Sequence, residues 1–234
     1  MRYIDLTMPL YEFMPACYAH KSFEKHPLWP RAFKMENVRI ECSTYWWHVF
    51  TMFCEPGTRF ILPGFKYAED KRKSGVVDIN KLMYRDTVVV DVPKGEQEFV
   101  RPEDLEKAIK KAPVKKGDAL LIRTGWGDDR RWAKLETDYK YKSPHFTDTA
   151  VEKLLELMQA KGMDMWLYDT CEMVGGVDPV SGRPGSFDIR PGLCAVGGLI
   201  NCGEIKKPRV KLMVLPLKIR DAWMGPCRVV AIED

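Results

Sequence analysis

Two hydrophobic periods alternate along this chain. Thr87–Val92 is a compact β-branched run closed by Pro93, and Ala119–Trp126 is a continuous apolar run broken at Gly125; both have the length of buried strands. Between them, Arg101-Pro102-Glu103-Asp104 opens a stretch with Leu105, Ala108, Ile109 and Ala112 at helical spacing. A second helix is predicted over Asp148–Lys161. Thr147 is its N-cap, Ala150, Val151, Leu154, Leu155 and Met158 are its apolar face, and Gly162 is its stop. Met165–Tyr168 follows as another strand. Residues 78 to 169 thus alternate strand, helix, strand, helix, strand, the order of an α/β sheet with parallel pairing.

The flanks carry the other patterns. Tyr3–Leu10 predicts a short strand ended by Pro9, and Leu212–Ile219 with Gly225–Val229 closes the chain. Residues 16–33 lack a period and hold His20, His26, Trp29, Phe33, Pro27 and Pro30, as expected of an arm or lid on a neighbouring subunit or of a surface loop. From Val38 to Cys54, period-two alternation puts Trp46, His48, Phe50, Met52 and Cys54 on one face and Tyr45 and Trp47 on the other. This strand runs into a bend at Pro56-Gly57, and the apolar segment after it ends at Pro63-Gly64.

Composition narrows the class. With 45% hydrophobic and 30% charged residues, the 234-residue chain suits one folded domain spanning 1–234. The net charge of +4 comes from 37 basic and 33 acidic residues spread along the chain, which points away from nucleic acid. The seven cysteines have no regular spacing and no CxxC pair, so neither a disulfide framework nor a zinc ribbon is expected. The first residues do not form a signal segment, and no run of about 18 apolar residues occurs, so a membrane is not expected as a partner and a reducing cytoplasm is the expected compartment.

Several phrases together resemble the cyclase family, which includes bacterial kynurenine formamidase and isatin hydrolase. Its signature is His-x-Gly-Thr-His-x-Asp-x-Pro-x-His, and Gly57, Thr58 and Pro63 match it in register. Ile4-Asp5-Leu6-Thr7-Met8-Pro9-Leu10 resembles the family's opening, Arg123-Thr124-Gly125-Trp126 and Asp169-Thr170 its strand ends, and Leu215-Pro216-Leu217-Lys218 with Gly225-Pro226-Cys227-Arg228 its close. The resemblance covers nearly the whole chain. It implies a swivelling β/β/α cyclase-type fold, a mixed sheet with flanking helices, a small-molecule substrate or ligand, and a homodimer or homotetramer.

The same alignment removes the metal ligands. Glu55 stands at the first His, Arg59 at the second, Ile61 at the Asp and Phe65 at the last His; Cys202 aligns with a downstream Glu, and no His occurs where the family places its catalytic one. Ile61 and Phe65 offer no lone pairs, and Arg59 puts a permanent positive charge where a cation would sit. The usual divalent-metal hydrolysis is therefore not expected, and no cofactor is assigned. A weaker alternative rebuilds a metal site from His48, Cys54 and Glu55, since all three residue types bind zinc; the plainer reading is a strand histidine and a small buried thiol.

What remains is hydrolase or lyase chemistry with a fixed cation. Arg59 could hold a carboxylate or oxyanion bidentately, or pair internally with Glu55 or Asp169. Glu55, Asp169, Glu172 and Cys202 are the candidates for proton transfer or nucleophilic attack, with Cys171 a second thiol. Trp46, Trp47, Phe50, Ile61 and Phe65 are the candidate lining of a substrate pocket. The competing function is binding of a small molecule or partner subunit without turnover.

Overall fold

The computed structural model describes residues 1–12, 14, 33–39, 46–54, 56–65, 67–73, 77–128, 131–133, 139, 142–171 and 189–234, with backbone only at 38, 39, 46, 65 and 131. In chain order the elements are β1 (Arg2–Asp5), β2 (Phe33–Arg39), β3 (Trp46–Met52), β4 (Arg59–Ile61), β5 (Arg85–Asp91), β6 (Phe99–Val100), α1 (Pro102–Lys111), β7 (Ala119–Arg123), β8 (His145–Phe146), α2 (Asp148–Lys161), β9 (Met165–Tyr168), β10 (Cys194–Gly197), β11 (Arg209–Pro216) and β12 (Met224–Glu233). The expected arm at 16–33 lies outside the described residues except for Phe33.

Eight strands form one sheet in the order β1-β12-β11-β5-β7-β9-β10-β4, and a further pairing of β12 with β4 closes seven of them into a barrel. Strands β5, β7, β9 and β10 run parallel to one another, α1 lying in the crossover from β5 to β7 and α2 in that from β7 to β9, whereas β5 meets β11 antiparallel. The closing contacts are antiparallel: β10 with β4 through Gly197 and Arg59, and β12 with β4 through Pro226 and Arg59. Long β12 holds β11 on one edge, and on the other it holds β1 and β4 end to end.

Alternation along the strands sorts the core into two layers. Phe60, Leu121, Leu167, Val196, Leu212 and Val229 fill one cluster inside the barrel. Their neighbours Ile61, Leu120, Ile122, Trp166 and Tyr168 point outward and pack under the helix residues Leu105, Leu154, Leu155 and Met158. Each such fully buried aliphatic side chain contributes about 1.5–3 kcal/mol relative to exposure, so the outer layer fixes both helices to the sheet.

The helix signals act as their chemistry dictates. Thr147 accepts a hydrogen bond from Ala150 N at 3.1 Å, and Gly162 ends α2 in the left-handed conformation. At α1 the Arg101 N–H donates to the Asp104 carboxylate at 2.9 Å. The alternating stretch from Val38 to Cys54 is corrected: Val38 and Arg39 end β2, whereas β3 starts at Trp46 and pairs back on it antiparallel as a separate two-stranded sheet. A period of two is the same on both arms of a hairpin, so it does not mark where the chain reverses.

Candidate functional site

Strand β4 and the ends of β7 and β9 bring the candidate residues together. Arg59 and Ile61 alternate with Phe60; Phe60 points into the barrel, and Ile61 packs outside it in the layer beneath the helices. Arg59 therefore leaves β4 on the outer side, and it is 4% exposed. Its Nη2 donates to Cys171 O at 2.7 Å and its Nη1 to Gly57 O at 3.3 Å. The guanidinium thus spans the bend before β4 and the turn after β9.

The bend itself is fixed by backbone geometry and one hydroxyl. Gly57 has φ +60, and a Cβ added there would lie 2.7 Å from Met14 Cε. Thr58 Oγ1 donates to Gly198 O at 2.7 Å and accepts from Met8 N at 2.8 Å, and Thr58 O accepts from Cys227 N at 3.0 Å. One threonine therefore ties the N-terminal segment, the turn after β10 and β12 to the bend. These are the positions at which the signature is retained.

Asp169 lies fully buried at the end of β9. Its carboxylate accepts from Thr124 Oγ1 at 2.7 Å, Thr124 N at 2.9 Å and Gly125 N at 2.7 Å. Burial raises its pKa to about 6, against the lowering effect of the Thr124 and Gly125 bonds. Tyr139 covers this corner: its hydroxyl donates to Asp169 O at 3.3 Å, and Trp126 Nε1 donates to Tyr139 O at 2.9 Å. Burial also holds the Tyr139 phenol protonated, well above its ordinary range. Met8, Met14, Trp126, Tyr139, Cys171 and Ile200 form an apolar cluster around these groups.

Several expected roles change with this geometry. Cys202 is fully buried in the barrel cluster, where desolvation pushes its thiol well above the ordinary value; the guanidinium next to it is Arg123, which donates to Cys202 O at 2.8 Å. It is not an activated thiolate. Ile61 is core, 3% exposed, and packs in the layer beneath the helices. Trp47 and Phe50 stand 55% and 57% exposed on β3 in the separate hairpin, so neither is a buried lining residue at Arg59. Glu55 and Glu172, and the side chains of Trp46 and Phe65, lie outside the described residues. The sequence reading missed Tyr139, whose surroundings carry no periodic signal, and also the Thr124–Gly125 donors, which the Arg-Thr-Gly-Trp phrase could have suggested.

A metal does not fit the described residues of the signature. The two positions on β4 carry a guanidinium that donates to carbonyl oxygens and an aliphatic side chain packed in the core. Among the described residues no three of His, Cys, Asp and Glu come together as a metal site; the alternative set of His48, Cys54 and Glu55 includes Glu55, which lies outside the described residues.

The comparisons with known proteins agree with this frame. A sequence profile named Cyclase matches residues 4–170, well over half of the chain, and the chain belongs to that family. Among solved structures it is similar to isatin hydrolase A from Labrenzia aggregata bound to benzyl benzoate, at TM-score 0.77 and 21% identity over 98% of this chain and 93% of that one. An isatin hydrolase bound to the product analogue thioisatinate gives TM-score 0.75 and 18% identity, covering 98% and 91%. A structure described as a potential metal-dependent hydrolase with cyclase activity gives 0.68 and 16%, covering 100% and 99%. Among curated proteins none matches this chain by sequence.

Proposed function

We propose that this chain is a cyclase-family hydrolase that opens a C–N or ring bond of a small cyclic or carboxylate-bearing compound without a divalent metal. Arg59 carries the proposal, because its guanidinium is held on the outer side of β4 at the signature's second His position. A fixed cation in a dry site stabilises negative charge developing on a substrate carbonyl oxygen, part of what a Lewis acid does. Glu172 follows Cys171, whose carbonyl holds Arg59, and Glu55 precedes the bend; these two carboxylates are the groups assigned to proton transfer. Asp169 is assigned a positioning role, since its oxygens already accept three hydrogen bonds. The isatin hydrolase neighbours support cyclic amides as the first substrates to try.

A second reading is supported by Cys202. A buried thiol with a raised pKa at the position of the family's glutamate removes one proton relay, as in a relative that binds its ligand without turnover. Hydrolysis of isatin, other lactams and N-formyl aromatics by chelator-treated protein separates the two. Turnover that falls by about 100-fold or more in Arg59→Ala supports the hydrolase. Turnover unchanged by that substitution removes Arg59 from the mechanism, and saturable binding with no turnover establishes the second reading.

A further inference from the structure

A cationic cleft lies between α1, the ends of β5 and β7, and the segment before β11, and it shares no residue with the signature bend. Its volume of about 230 Å³ is below the ~300–1,000 Å³ of sites for drug-sized ligands, so it suits a small one. Ala108, Ala112 and Pro208 give it apolar surface, and Lys111, Arg123, Lys206 and Lys207 face it against Asp91. Four cations and one carboxylate leave a surplus of three positive charges on this one cleft, in a chain whose whole surplus is four. The negative end of the α1 dipole, about half a charge, lies at Lys111 and is outweighed. Such a field draws an anion.

The cations sit on a braced frame. β5 and β7 end side by side with Asp91 opposite Arg123. Arg123 Nε donates to Asp91 Oδ1 at 2.5 Å, and Nη1 donates to Cys202 O at 2.8 Å and Ile205 O at 2.9 Å. These bonds leave both Nη2 hydrogens without a partner among the described residues. Beyond that turn, Lys206 N and Lys207 N both donate to Glu233 Oε1 at 2.7 Å, and Val89 N donates to Pro208 O at 2.9 Å. The backbone that carries both lysines is therefore held from two sides. Lys206 Nζ donates to Gly203 O at 2.7 Å and Lys207 Nζ to Asp234 O, which leaves each ammonium further N–H groups. Lys111 pairs with no carboxylate among the described residues.

We propose that this cleft binds a small phosphate monoester. A guanidinium edge and lysine ammonium groups are the donors that phosphate oxygens take. A phosphate group carries about −1.5 to −2 charge, which answers the surplus better than the single charge of a carboxylate. The apolar residues beside the cations give the organic part of the ester a surface to cover, and inorganic phosphate has nothing to place there.

Calorimetric titration of the full chain with phenyl phosphate at about 0.15 M salt tests this. Saturable binding is expected, about tenfold tighter than that of inorganic phosphate or benzoate. Lys111→Ala and Lys206→Ala each weaken it about tenfold, whereas Lys110→Ala, just outside the cleft, and Arg59→Met leave it unchanged. Lys111 and Lys206 are exposed, and circular dichroism checks that their variants fold. Titration without saturation, equal affinity for all three anions, or an equal loss in Lys110→Ala shows general attraction to a basic surface and overturns the proposal. So does binding that survives both cleft substitutions, or that is lost in Arg59→Met, which puts the phosphate at the signature bend instead.

Discussion

The signature bend and the strand ends beside it keep their shapes by opposite means. At the ends of β7 and β9 the shape resides in a side chain: the Asp169 carboxylate collects donors from Thr124 and Gly125, and the matching phrases persist with their chemistry. At the bend the shape resides in Gly57, in Thr58 and in the pairing of β4 with β10 and β12. Its chemical positions, Arg59 and Ile61, could therefore change without moving the backbone. Where side chains are the scaffold a site resists rebuilding, and where the backbone is the scaffold it can be refitted.

The strongest test of this contrast is Asp169→Ala. It strands three donors in the interior and is expected to cost about 3–4 kcal/mol, seen as a lowered urea midpoint with unchanged slope. Next comes pH. Asp169 titrates at about 6 in the folded chain against 3.8 when unfolded, so the folded state holds its proton to higher pH, and stability falls as pH rises through that window. Compared with Asp169→Asn, wild type should lose about 2.5 kcal/mol between pH 4 and 7. Asp70, held low by Arg72, and Asp86, held low by Lys211, have the opposite sign but cancel in the difference. A constant gap across this range would contradict the buried carboxylate.

Smaller effects are expected at the bend. Thr58→Val keeps the shape but removes the bonds to Met8 N and Gly198 O, and should cost about 2 kcal/mol in a urea titration. Arg59→Met removes a buried charge along with its carbonyl contacts, so the terms offset and stability should change by no more than about 1 kcal/mol while turnover is lost. A large destabilisation without loss of turnover would recast Arg59 as a structural brace.

Much of the frame was legible because local chemistry fixed it. Thr147 and Gly162 bound α2 at the residues that the sequence marks, and the strand–helix alternation gave the parallel core. Barrel closure was not legible, because β4 and β12 lie far apart in the chain and their pairing leaves no local mark. The hairpin was hidden by a period common to both its arms. Within the site, the loss of metal ligands was visible as residue types. Of the aromatic lining only Phe50 is seen to border an open groove beside Thr58, because alternation reports the face of a strand and not which sheet that strand joins; Cys202 was readable only as a residue type, because a thiol's reactivity depends on burial.

The central claim is that Arg59 stands in for the metal ion. Elemental analysis of protein purified without chelators tests it most directly. The account predicts divalent metal far below one per chain, and a melting temperature that neither chelator nor added zinc or manganese shifts. One tightly held divalent ion per chain, lost together with activity on chelation, would contradict it.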